Sequence, residues 1–312
     1  SGQYIQGATV ADGWKFGSFI RAEGEYFIAG AEEAHVGATD DVGSAYIFKN
    51  VEGTWQETQL LTGSGALNAA GTARTAAEDD DFGRAVDITT DEGIRVIVGA
   101  PNADPSGLSA AGTAEIFEKQ AGEYWKSVAH LTASNAGGSD QFGQSVGISG
   151  DWAVVGAPTE DTTAANAGSA YIFKRSATGV WEQYQQIQAS NAGGSDEFGE
   201  AVSIDGLTIA VAAPEEDTNA EGSIYIFDFN GSTWVQTAQL QASNKATGDN
   251  LGGGNNTGTA LVLDGNQLIA GAYPRGSTEG AAYVFRKSGG TWSQEQMIEA
   301  SDGAGADGFG WS

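Results

Sequence analysis

One passage, clearest from Leu131 to Trp181, is written five times along this chain, and a chain built that way folds as an array of like units. The run Gly-Ser-Ala-Tyr-Ile-Phe recurs in variant forms at Gly43, Gly112, Gly168, Gly222 and Gly280, 54 to 69 residues apart. A Phe-Gly pair opens the copies at Phe16, Phe82, Phe142 and Phe198, with Thr257-Gly258 read as its counterpart in the fifth, and the pair returns at Phe309. A Gly-Ala-Pro-like step follows each opener, as in Gly99-Ala100-Pro101 and Gly156-Ala157-Pro158. Trp55, Trp125, Trp181, Trp234 and Trp292 close the pattern, each with Leu or Ile six residues later.

Within a repeat the pattern is that of strands. Gln144–Ile148 is short, Trp152–Ala157 is a continuous apolar run, Ser169–Lys174 is β-branched and aromatic, and Trp181–Ala189 alternates. Period two places Trp181 and Ile187 on one face of the last strand. Tight turns such as Ile204-Asp-Gly-Leu207 join the first two strands as hairpins. Four short antiparallel strands per unit, repeated, predict an all-β fold, a β-propeller of four-stranded antiparallel blades. The single domain spans 1–312, with repeats at 10–64, 76–134, 136–190, 192–243 and 250–301 and partial strands at 3–8 and 307–312. The spare terminal strands are expected either to be ragged ends of a longer array or to pair, within the chain or with a neighbour, as exposed strand edges do.

Composition removes several kinds of chemistry. The absence of cysteine excludes disulfides, thiolate nucleophiles and Cys-based zinc sites. A formal charge of −27 disfavours nucleic acid and anionic membranes, both of which need a basic surface, and favours cations and basic partners or plain solubility. The longest apolar runs are about five residues against the roughly twenty a membrane-spanning helix needs, so no membrane insertion is expected. His35 and His130 belong to no repeated constellation, and the Gly-rich Leu251–Asn256 lacks the Lys-Ser/Thr of a phosphate loop. The chain is read as non-enzymatic.

The opener, the Gly-Ala-Pro step and the Gly-Ser-Ala-Tyr-Ile-Phe strand resemble the FG-GAP repeat of integrin α-subunit heads and of bacterial surface and secreted proteins. The resemblance covers nearly the whole chain. It implies a β-propeller placed outside the cell or on its surface, bacterial in origin, acting in adhesion or binding. The integrin calcium loop is not carried over, because the first hairpin turns hold only Asp151, Asp205 or Asp264.

Successive strands reverse, so the loop between the second and third strands and the link into the next repeat share one end. Both are acidic, whereas Lys49, Lys119, Lys174, Arg175, Arg286 and Lys287 gather near the third-to-fourth turns, which predicts an electrically two-faced molecule. Calcium is the cofactor such oxygen-rich loops would take, with Asn135, Asp140, Asn191, Asp196, Asp161 and Asp217 as candidate ligands. The competing reading is that these side chains close turns on backbone N–H groups. The expected role is an extracellular adhesion or protein-interaction scaffold whose partner is a cell-surface protein or glycan. Two alternatives stand beside it: a self-assembling subunit forming an oligomer or fibre through its termini, and a lectin that stacks sugars on its tryptophans.

Overall fold

The computed structural model describes residues 5, 7, 13–35, 42–63, 80–244, 247–253, 261–273, 280–302 and 309–310, with 217 and 218 as backbone alone. Of the expected terminal strands, 3–8 and 307–312, all but four residues lie outside that set, as do Thr257 and Gly258. The first sheet holds β1 (Ile20–Glu23), β2 (Tyr26–Ala31), β3 (Ser44–Val51) and β4 (Thr54–Leu61), and the second β5 (Ala85–Thr89), β6 (Arg95–Ala100), β7 (Thr113–Lys119) and β8 (Trp125–Leu131). In the third are β9 (Ser145–Ser149), β10 (Trp152–Ala157), β11 (Ser169–Arg175) and β12 (Trp181–Ile187). The fourth contains β13 (Ala201–Asp205), β14 (Thr208–Ala213), β15 (Ser223–Phe229) and β16 (Trp234–Leu240), and the fifth β17 (Leu261–Asp264), β18 (Gln267–Ala272), β19 (Ala281–Ser288) and β20 (Thr291–Ile298). Each sheet runs in chain order, so every repeat is one antiparallel blade and the β-propeller class is that expected. No α-helix occurs among the described residues.

The chain forms two compact units, Ser1–Ala153 with Lys174–Glu182, and Val154–Phe173 with Gln183–Ser312. Sheets one and two lie in the first, sheets four and five in the second, and the strands of sheet three are divided between them. In the first unit, Tyr26, Ile28, Ala45, Ile47 and Leu61 of sheet one pack on Val86, Val96, Val98, Phe117 and Trp125 of sheet two. In the second, Ala210, Ile224, Ile226 and Leu240 of sheet four pack on Leu263, Leu268, Tyr283, Phe285 and Trp292 of sheet five. Each sheet thus has a leading face, toward the preceding repeat, and a trailing face, toward the next.

One expectation fails here. Trp and the Leu or Ile six residues later do not share a face: Trp234 pairs with Phe229 but Leu240 with Ile224, because the register shifts between Ile226 and Phe227. The same bulge recurs at Ile47/Phe48, Ile116/Phe117 and Val284/Phe285. An extra residue in a strand flips the parity of all that follows. Trp therefore faces the preceding blade and Leu the next, and burying each such side chain stabilises by about 1.5–3 kcal/mol.

The openers join blade to blade. Gly43, Gly112 and Gly168 form parallel bridges to Phe82, Phe142 and Phe198. A Cβ on Gly168 would lie 2.2 Å from the Phe198 carbonyl oxygen, and one on Gly199 2.4 Å from that of Ser169, so the strands touch backbone to backbone. In the fifth copy this place belongs to Leu251-Gly252, not Thr257-Gly258. Leu251 is fully buried against Gly222, and the Gly252 N–H donates to the Gly271 carbonyl (2.7 Å) as the Gly199 N–H does to Ala212 (2.9 Å). A leucine supplies the buried anchor, and the insertion follows the opener instead of preceding it.

Polar clasps complete each joint. Gln59 receives the Trp125 N–H (2.8 Å) and donates to the Trp125 carbonyl (2.9 Å), and Gln185 does the same to Trp234 (2.9 and 2.8 Å). On the first strands of blades one, two and four, Glu23 accepts the Thr90 N–H (3.0 Å), Asp87 that of Ile148 (2.8 Å), Ser203 that of Leu263 (3.0 Å) and Asp205 that of Gly265 (2.6 Å).

Burial pushes the Asp87 carboxyl up to about 6, with the Arg21 charge and the Ile148 N–H acting the other way. A folded-state value above the unfolded one means that the fold binds the proton more tightly, so this group's contribution is largest below about pH 4 and declines as pH rises to about 6. Asp87→Asn keeps the acceptor for Ile148. In urea titrations the variant is expected to exceed the parent in stability above pH 6 by up to about 3 kcal/mol, with the gap closing by pH 4. A gap independent of pH would refute the assignment.

Candidate functional site

The loop between second and third strands and the link to the next blade do meet at one end. Their backbones bond directly: Ser139 N–H to the Ser109 carbonyl (2.7 Å), Ser195 N–H to Ala165 (2.8 Å) and Gly248 N–H to Asn219 (2.8 Å). In the second unit these segments enclose a cavity of about 630 Å³, lined by the loop from Asn191 to Asp196, by Glu215, Glu216, Asn219 and Ala220, and by Thr247.

The floor of this cavity is a buried carboxylate. Glu216 accepts bonds from Asn191 Nδ2 (2.8 Å), Ser223 Oγ (2.7 Å), Gln239 Nε2 (3.3 Å) and Gln241 Nε2 (3.5 Å). Glu160 occupies the same place in the third blade, held by Ser169 Oγ (2.7 Å), Gln188 Nε2 (3.4 Å) and Thr162. Such a donor set meets the cost of burying a charged or polar group. Tyr225 extends the network through its hydroxyl, which donates to Asn191 Oδ1 (2.9 Å), and burial, with the Glu216 charge adding to it, holds that phenol above its ordinary value.

Sequence reasoning missed this cage, although the chain carried a signal for it. Glu stands three residues after the Gly-Ala step in copies three and four, where copies one and two have Ala34 and Ala103. Only those two copies carry Gln at both the fifth and the seventh residue after the repeat tryptophan, Gln186 and Gln188, Gln239 and Gln241.

The candidate ligands prove to be engaged in the protein itself. Asp140 Oδ2 accepts the Gly137 N–H and Asp196 Oδ2 the Gly193 N–H, both at 2.6 Å, and Asp161 Oδ1 accepts the Asn166 N–H at 2.7 Å. Asn191 spends both amide atoms on Glu216 and Tyr225. Asn191 and Asp196 come together at the cavity, and the Asp217 side chain lies outside the described residues. Among the described residues no group of three or more Asp, Glu or His is gathered as a metal cage.

The opposite end is not a free positive face, contrary to expectation. Lys49 and Lys119 meet Glu123 (2.9 and 3.4 Å), Arg175 lies 3.6 Å from Asp151, Arg286 binds Glu295 (2.8 Å) and Lys287 lies 3.2 Å from Asp228. The bond to Glu123 holds the Lys49 ammonium above its usual value. Nor is the acidic end unbalanced in the first unit, where the buried Glu32 takes Lys15 (2.9 Å) and Arg84 (2.8 Å). Four of the five repeat tryptophans are buried, Trp55 being half-buried, and His130 Nδ1 lies 3.5 Å from Glu115 while His35 packs on Trp14.

Comparison with known proteins agrees with this architecture. Residues 125–173 and 181–227 match the profile of the FG-GAP repeat. No curated protein matches the chain. The crystal structure of a functionally unknown protein from Desulfotomaculum acetoxidans DSM 771 is similar in fold, with a TM-score of 0.57 at 13% identity over 93% of this chain and 72% of that one.

Proposed function

Because residues 125–173 and 181–227 are FG-GAP repeats, we propose that this chain is a non-catalytic interaction scaffold that works outside the cell and binds its partner, a surface protein or glycan, through the acidic loops. The observation that carries this reading is the cavity between those loops, floored by Glu216 and rimmed by Asp196, Glu215 and Asn219 on a rigid β-frame. Rigid strands supporting variable loops suit recognition. Beads coated with the chain are expected to adhere to cells, and Glu215→Gln to weaken adhesion without lowering the melting temperature. Adhesion equal to that of uncoated beads would remove the proposal.

Calcium is the cation we propose for the loops, since a carboxylate oxygen that accepts one N–H retains a lone pair for a hard cation. Adding millimolar Ca²⁺ to chelated protein should raise the melting temperature by mass action. Asp140→Ala and Asp196→Ala should each reduce that shift, and His35→Ala should leave it intact. No shift at constant sodium, or equal loss at His35→Ala, ends the calcium assignment.

A further inference from the structure

Between β15 and β16 the chain places its only asparagine that is followed by glycine, Asn230-Gly231. Residues 230–233 are all exposed. The Asn230 side chain folds over the residues after it: Oδ1 accepts the N–H of Ser232 (3.0 Å), the hydroxyl of Ser232 (3.0 Å) and the N–H of Thr233 (2.9 Å), while Nδ2 donates to Thr233 Oγ1 (3.2 Å). Bonds of this kind close a turn. They also draw electron density from the amide carbon, and they stand where negative charge would gather on its oxygen if that carbon were attacked.

The attacking group is next in the chain. The Gly231 N–H has no bonding partner among the described residues, and at φ +99, with nothing within 4 Å of where a Cβ would stand, it lacks steric cover. Asn50, in the corresponding turn of sheet one, supplies the contrast. Its Oδ1 accepts a single N–H, that of Gly53 (2.8 Å), and the residue after it is the β-branched Val51 within β3.

We propose that Asn230 is a self-modifying site, converted in water without an enzyme to aspartate and isoaspartate. The Gly231 nitrogen attacks the Asn230 amide carbon, and its proton passes through solvent to the departing nitrogen. The new C–N bond closes a cyclic imide as the old one breaks and ammonia leaves. Water then adds across either C–N bond of the imide, giving aspartate where the new bond opens and isoaspartate where the original peptide bond opens. No oxidant, reductant or cofactor enters. Isoaspartate lengthens the main chain by one carbon at a contact between blades, for Tyr184 of the preceding blade donates its hydroxyl to the Ser232 carbonyl and its ring lies 6.0 Å from that of Phe229. Conversion therefore loosens this joint, at the opposite end of the blade from the acidic loops.

The test holds the folded chain at 37 °C between pH 6 and pH 9 and weighs and sequences its peptides by mass spectrometry. Exchange of NH2 for OH at Asn230 should be at least about tenfold faster than at Asn50, a modest share of what oxyanion donors give in a dry site. Its rate should rise about tenfold per pH unit, as attack by a deprotonated nitrogen requires. Ser232→Ala, which removes one of the three donors, should slow it by about threefold or more. Asn230→Gln, whose closure needs a larger ring, should abolish it. Ageing should lower the melting temperature of the parent and leave that of Tyr184→Phe unchanged. No exchange at Asn230, or exchange as fast at Asn50, overturns the proposal. A rate that Ser232→Ala does not alter removes the turn's part in it, and an equal melting loss in parent and Tyr184→Phe removes the effect on the joint.

Discussion

Phe198→Ala should lower the unfolding free energy by about 3–5 kcal/mol, the range for a large aromatic removed from a packed interior. The ring is fully buried, with centroids 5.6 Å from Tyr225 and 6.0 Å from Phe227, both on the leading face of sheet four. Its backbone is fixed by the bridge to Gly168, so the vacated space cannot be filled by sliding the strand. Leu251 holds this position in the fifth copy, and Phe198→Leu should accordingly cost less than about 1.5 kcal/mol. Urea midpoints read both. A loss under about 1 kcal/mol for the alanine variant would move the ring to the periphery and undo the account of the joints.

Gly168→Ala should be comparably damaging for a different reason. At φ +80 the residue has a backbone that side chains rarely adopt, and a Cβ would meet the Phe198 carbonyl at 2.2 Å, its nitrogen at 2.5 Å and the Pro158 carbonyl at 2.8 Å. The left-handed conformation costs about 1–2 kcal/mol and overpacking about 1–3 kcal/mol more. Gly206, at φ +55 with open space around it, separates the two contributions, since Gly206→Ala should bear the first alone. Equal losses in the two variants would mean that the backbone contact can yield.

Periodicity made the blades legible. The expected strands Trp152–Ala157 and Ser169–Lys174 match β10 and β11 to within one residue, because apolar runs bounded by Pro and Gly mark their own ends. Period two could not foresee the bulge at Thr237, between the partners of Ile226 and Phe227, since an inserted residue leaves composition unchanged while it turns Trp234 and Leu240 to opposite faces. Searching for Phe-Gly likewise passed over Leu251-Gly252, where burial and not aromaticity is what the joint needs. At the loops, sequence located the acidic end but not its wiring. Nothing local in Glu216 tells that Ser223, Gln239 and Gln241 converge on it, for those contacts arise only when two strands and a loop are brought together.

The clasps between blades nearly all end on main chain: Gln59 on the N–H and carbonyl of Trp125, Asp87 on the N–H of Ile148, Ser203 on that of Leu263. A neighbour is thus accepted for presenting a strand in the right register, whatever side chains it carries toward its loops. One repeat can exchange the alanine at Ala103 for the caged Glu160, whose partners Ser169, Gln188 and Thr162 belong to the same repeat, with no matching change next door. The parts are interchangeable in principle, and chemical novelty at one end of a blade is insulated from the joinery that holds the row together.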